Sequence, residues 1–285
     1  MANLLSLKRR IRAATNVSKT TRAMQMIATS KLKRAQDATL ASRPYVEKLT
    51  SISQNLVSKL ERKNLHKYMK KSDDIKNTLL IVLSPDKGLC GGLIVNLVRE
   101  FLRLDLENKE NLYLTVGKKV ESSMAGLTKK IIASFQFGTT LPSYEAVFPI
   151  VNIINDYYLN KKVGSVKILY ADFISVFSQK SAITNILPIE LPEKTSNLSH
   201  FTLFEPNLSD LVPNLLKHYL EMIIYQHLLE SFASEQASRM IAMQTATDNA
   251  HEIAEDLRLE YNKERQEKIT NEILDISSAS YTTYL

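Results

Sequence analysis

The chain has 285 residues, 44% hydrophobic and 24% charged, which is enough for one sizeable core and an extension beyond it. It contains no run of 18 or more uncharged apolar residues, so no segment is expected to span a membrane, and Cys90, the only cysteine, excludes an internal disulfide. A lone cysteine fits a reducing compartment and a small buried hydrophobe. The net charge of +7 is unevenly spread: Lys8, Arg9, Arg10, Arg12, Lys19, Arg22, Lys31, Lys33 and Arg34 all precede the first acid, Asp37. Such an end suits a nucleic-acid contact, a mitochondrial transit peptide, a helix meeting an acidic protein surface, or a plain solvated face.

All seven glycines lie between Gly88 and Gly164, and the last proline is Pro213. This distribution predicts two long helices around a compact middle. As single helices, Asn3 to Leu60 would run roughly 85 Å and Asn214 to Ala279 on the order of 100 Å. Helices of that length need a partner helix, other chains, or both.

In the first segment Leu4, Leu7, Ile11 and Ala14 follow the alternating three and four spacing of a coiled-coil seam, continued by Ser18, Thr21, Gln25, Ala28, Leu32 and Ala35. Small and polar residues in that seam permit close approach of a second helix but supply little hydrophobic drive. Arg43-Pro44 predicts a bend or a helix restart, because the residue before proline disfavours the helical region.

The middle alternates strand and helix. Thr78 to Ser84 reads as a buried strand, Pro85 to Gly92 as a turn-rich loop and Leu93 to Leu106 as a helix. Leu112 to Val116 is a second strand, Lys118 to Met124 a short helix, Ile131 to Phe135 a third strand, and Tyr144 to Leu159 a helix with Pro149 in its early turns. Ser165 to Phe177 reads as one long strand and Ser181 to Ile189 as another, followed by a proline-containing linker through Pro206.

The last segment carries a second seam: Leu208, Val212, Leu215, Tyr219, Met222, Gln226, Leu229, Ala233, Gln236, Met240, Met243, Thr247, Ala250, Ala254, Leu257 and Tyr261. It fails at Glu264 and Lys268, where a new stripe of Ile269, Ile273 and Ile276 begins. The tip is therefore expected to be apolar on one side with no partner in the chain, as at a contact with another chain. The resulting fold class is α/β: a long antiparallel two-helix coiled coil from the terminal segments (1–60 and 207–285) plus a central Rossmann-like parallel α/β domain (75–200).

No catalytic constellation stands out. The loop Asp86-Lys87-Gly88-Leu89-Cys90-Gly91-Gly92 sits where nucleotide-binding folds hold phosphates, but it lacks the terminal Lys-Ser/Thr of a P-loop and the glycine spacing of a dinucleotide fingerprint. A tight turn is favoured, with Gly88, Gly91 and Gly92 allowing backbone angles that other residues resist. His66, His200, His218, His227 and His251 are scattered, no Cys/His cluster has metal-ligand spacing, and no serine occupies a glycine-flanked elbow. Neither a cofactor nor a metal is expected.

Three segments, Asn16 to Lys31, Asp86 to Gly92 and Ser234 to Asn249, together with Tyr261 to Thr270, Glu272 and Ile276, resemble the γ subunit family of F-type ATP synthases in the right order and over essentially the whole chain. The resemblance implies a central-stalk rotor. Its terminal helices would enter a hexameric ring of α and β subunits, and its body would sit beside the ε subunit on the c-ring, turned by ion flow while chemistry proceeds in β. The basic N-terminal helix would then face an acidic lever of β. By motif, Arg22 and Met24 lie in an N-terminal contact zone with Arg239 across from them, and Arg265, Gln266 and Thr270 meet a β-subunit loop. Departures from the family pattern are the charges Glu264, Glu267 and Lys268, Ser278 in place of a glycine, and the polar and aromatic tail Ser280 to Leu285. The two-cysteine insertion of the chloroplast type is missing.

The resemblance begins within the first dozen residues, so no removable leader is expected. A bacterial location is implied, peripheral to the cytoplasmic face of the membrane. Two other classes remain for comparison. A basic helical nucleic-acid-binding protein would want stacking groups, yet residues 1–44 hold no aromatic. A nucleotide-dependent enzyme would want the missing phosphate signature.

Overall fold

The computed structural model describes residues 4–58, 66–70, 75, 77–107, 110–125, 130–189 and 208–282. The expected linker through Pro206 and the last three residues of the tail lie outside that set. The chain forms two compact units, Ala28–Arg239 and Met1–Ile27 with Met240–Leu285. Helices α1 (Leu4–Ser58) and α5 (Leu208–Thr282) each contribute to both.

The unit Ala28–Arg239 is built on β1 (Thr78–Leu83), β2 (Leu112–Val116), β3 (Ile131–Phe135), β4 (Ser165–Phe173) and β5 (Gln179–Leu187), in the order β3-β2-β1-β4-β5. The pairs β1–β2, β1–β4 and β2–β3 are parallel, with Leu80 opposite Tyr113 and Ile81 opposite Ile168, as the alternating pattern predicts. The edge strand β5 instead runs antiparallel to β4. The long strand expected to reach Phe177 ends at Phe173, because Ser175 and Ser178 exchange backbone hydrogen bonds and turn the chain back as a hairpin.

After Thr78, strand β1 is apolar to its end because helices cover both of its faces. Leu79, Ile81 and Leu83 join Leu114 and Val116 in a core shared with Val147, Ile150 and Ile154 of α4 (Val147–Leu159), Leu49 of α1 and Leu216 and Leu220 of α5. On the other face Leu80 and Val82 pack with Leu97 and Phe101 of α2 (Leu93–Glu107) and Val120 and Met124 of α3 (Lys118–Ala125). A short 3-10 turn, Tyr144–Ala146, starts the helix expected from Tyr144.

Within this unit α1 and α5 are antiparallel, since Ser42 donates to Gln226 at 2.7 Å and Thr50 bonds to Tyr219 further along. The seam of α1 continues its three and four spacing through buried Ala28, Leu32, Ala35, Thr39, Leu49, Ser53 and Leu56. Contrary to the expected break, α1 runs through Pro44. Proline costs a helix interior about 3 kcal/mol. Here its neighbours hold the line: Ser42 bonds Gln226, the Tyr45 hydroxyl meets His218 Nε2 at 2.6 Å, and Leu49 is buried one turn on.

In the other unit Leu7 of α1 is buried, with Leu4, Ile11, Ala14, Ser18, Thr21 and Gln25 half-buried at the expected seam positions. Their counterparts are buried Met243, Thr247, Ala250, Ala254 and Leu257 on α5. The hydroxyls of Thr21 and Thr247 share a hydrogen bond of 2.7 Å. Tyr261 and Glu264 are half-buried, so the seam outlasts its expected end by one position.

Candidate functional site: a loop joint and two exposed helix faces

At the carboxyl ends of β1 and β2 the chain is tied by its own backbone. Ser84 N donates to Val116 O at 2.7 Å, and Ser84 Oγ donates to Gly117 O at 3.1 Å. Gly117 has φ +100°, and a Cβ there would lie 1.9 Å from Ser84 O, so the crossing requires glycine. Asp86 joins three loops: Oδ1 accepts from Lys118 N at 3.0 Å and Oδ2 from Gly138 N at 2.6 Å.

The glycines of Asp86 to Gly92 do not share the role expected of them. Gly91 has φ 56°, whereas the other left-handed residue is Leu89, at φ 63° and 63% exposed. Gly88 and Gly92 have no positive φ, and a Cβ at Gly92 would meet nothing while one at Gly88 would make only an ordinary 3.7 Å contact with Lys119.

Helix α5 engages this loop through its carbonyls. Ser238 Oγ donates to Cys90 O at 2.7 Å, and Arg239 Nη2 donates to Lys87 O at 3.1 Å and Gly88 O at 3.3 Å. Arg239 Nη1 lies 2.7 Å from Glu235 Oε1, and from α1 the Lys31 ammonium donates to Thr139 O in the loop after β3. A phosphate loop offers N–H groups to an anion. This loop offers carbonyl oxygens to a guanidinium and a hydroxyl, so its chemistry is inverted.

Glu235 is buried, and burial holds its carboxyl above the usual range against the opposing pull of Arg239 and Lys31. Burial also raises the Cys90 thiol, which leaves it poorly nucleophilic. Beside Glu235, Ser84, Asp86, Gly117 and Ser231 border a cavity of about 40 Å³, room for a few waters and not for a nucleotide.

The residues expected from sequence to meet partners fall into separate groups. Arg22 is exposed on α1, as is Met24 at 39%. Near them Val17, Met26 and Ile27 are also exposed apolar residues that the seam reading passed over. The signal was present, since Val17, Met24 and Ile27 repeat at spacings of seven and three off the seam. Arg265, Gln266 and Thr270 are all exposed on α5, with the Thr270 hydroxyl bonded back to Gln266 O at 2.9 Å. Ile269, Ile273 and Ile276 are exposed as expected, and Leu274 joins them. Arg239 belongs to the other unit, where its side chain is 13% exposed and engaged as described.

Comparison with known proteins gives one answer. The ATP synthase family model matches residues 3–281. An ATP synthase gamma chain of Dehalococcoides mccartyi is 37% identical over 277 residues, covering 97% of both chains. That of Roseiflexus castenholzii is 34% identical and covers 98% of both. Among solved structures, a chain of the Tetrahymena thermophila mitochondrial ATP synthase central stalk and c-ring superposes with TM-score 0.61 at 25% identity, covering 80% of this chain and 99% of that one. A Euglena gracilis mitochondrial ATP synthase chain shares the fold at TM-score 0.72 and 16% identity, covering 98% of this chain and 94% of that one. The chain belongs to the ATP synthase gamma chain family.

Proposed function

We propose that this chain is the central-stalk rotor subunit of an F-type ATP synthase, coupling ion-driven rotation of a c-ring to conformational cycling of catalytic β subunits. The observation that carries this reading is the end of α5, where every residue from Arg265 to Ser277 is exposed yet Ile269, Ile273, Leu274 and Ile276 are apolar. A helix of that kind is made to be enclosed by other chains. Its partners are the α and β subunits of a hexameric head, with an ε subunit and the c-ring at the body. Segments 1–60 and 207–285 serve as the stalk helices and 75–200 as the body.

Arg22, Met24, Arg265, Gln266 and Thr270 are read as direct contacts with the head. Arg239 acts through the Lys87–Gly88 loop it holds. The chain itself is read as non-catalytic, because its best phosphate-loop candidate turns carbonyls toward Arg239 and Ser238. No helix among the described residues is long and apolar enough to cross a membrane. Attachment is read as running through the complex, on the cytoplasmic side of a bacterial membrane.

The test is co-expression with the α and β subunits of the same organism. A stoichiometric complex should form and hydrolyse ATP, while the isolated chain should neither bind magnesium ATP by calorimetry nor hydrolyse it. A chain that purified with nucleic acid and left α and β behind would overturn the reading.

A further inference from the structure

We propose that Lys31, Ser238 and Arg239 form a clamp that carries torque between the α/β body and the two helices, an inference that rests on the rotor reading above. Apolar burial is strong but not directional. Hydrogen bonds to fixed acceptors are directional and resist rolling or sliding of a helix.

All three residues donate to main-chain oxygens. Ser238 takes Cys90 O, Arg239 takes Lys87 O and Gly88 O, and Lys31 takes Thr139 O. Backbone carbonyls have no rotamers to yield, and Asp86 fastens both receiving loops by accepting from Lys118 N and Gly138 N. Arg239 is itself held from behind by Glu235 at 2.7 Å, and every residue of α5 from Phe232 to Ala237 is buried just before it. The compact unit containing the body begins at Ala28 and ends at Arg239. The clamp thus engages each helix near the margin of the unit that contains the body. Lys31, Ser238 and Arg239 are positioning residues and touch no reacting group.

The experiment uses the assembled complex, immobilised by its head, with a bead on the β4–β5 hairpin of this chain. In the double variant Lys31→Met with Ser238→Ala, the angular variance of the paused bead should rise about twofold or more, as expected when directional bonds are lost. The ratio of ion-driven ATP synthesis in vesicles to hydrolysis by the solubilised complex should fall about fivefold. Arg239→Lys keeps the charge but not the fork and should move both readouts the same way.

Tyr68→Phe serves as a control, since it removes a part-buried hydrogen bond to Asn155 within the body and leaves the clamp alone. It should lower the melting temperature without changing either readout. If Tyr68→Phe lowered the synthesis ratio equally, or if the double variant kept wild-type stiffness and ratio, the clamp would be refuted while the rotor reading stood. A wild-type complex whose bead never turned would sink both.

Discussion

Helix α5 is buried on every side from Phe232 to Ala237 and exposed on every side from Arg265 to Ser277, although it is one uninterrupted helix. The two stretches differ in what surrounds them and not in secondary structure. Around Glu235 the chain supplies its own enclosure of strand ends, loop carbonyls and α1. Beyond Glu264 none of the described residues encloses it, and the apolar residues there are open to other chains. One stretch therefore owes its stability to the fold and the other to assembly, and each can be disturbed without the other.

The largest effect is expected in the enclosed stretch. Gly117→Ala places a Cβ against Ser84 O at a φ that L-residues avoid, so the body should lose about 3–5 kcal/mol or fail to fold. Hydrogen exchange within Arg265 to Ser277 should not change. If that stretch also lost protection, the two regions would not be independent.

Next in size is the effect of assembly on the exposed stretch. In the free chain the amides of Arg265 to Ser277 should exchange nearly as fast as an unfolded peptide, and binding to α and β should slow them by about a hundredfold. Protection already present in the free chain would mean that the helix end needs no enclosure.

These two regions also show what could be read from the residues alone. Strand β1 was legible because burial on both faces leaves a continuous apolar run, and the helical seams were legible because their spacing repeats for many turns. The exposed stripe followed from the same periodicity, as the place where the seam residues turn to Glu264 and Lys268. Pro44 is no break because the local rule counts only the steric restriction on the residue before proline, whereas the bonds of Ser42 and Tyr45 to α5 come from more than a hundred residues away. The antiparallel direction of β5 goes with a β4 that ends four residues short of the expected Phe177, since so short a connection permits only a hairpin. Nothing local marks Leu89 as left-handed or tells Arg239 to turn inward, since both depend on loops brought together by the sheet.

A smaller effect should separate interface from fold at the exposed end. Arg265→Ala with Gln266→Ala removes side chains that α5 does not pack upon, so the melting temperature of the free chain should stay within about 1 °C. Complex yield or coupled hydrolysis should drop by the equivalent of about 1.5–3 kcal/mol, the range for hydrogen bonds to a charged group. An intact complex built from a destabilised free chain would show the pair to be structural.

The smallest effect tests whether the enclosed stretch behaves as a buried site. Burial lifts the folded-state pKa of Glu235 above the ordinary glutamate value of 4.5, outweighing Arg239. Between 4.5 and that raised value the folded chain holds a proton that the unfolded chain has released. The stabilisation from this group is therefore fully present below 4.5 and is lost as pH rises through the folded pKa. Glu235→Gln has no such proton, so the stability of the native chain relative to this variant should fall with rising pH across the window and level off above it. Denaturant titrations of both proteins at a series of pH values measure the difference directly. A relative stability that climbed with pH would mean that the ion pair with Arg239 outweighs burial, and that the enclosed turn of α5 is held by charge more than by the exclusion of water.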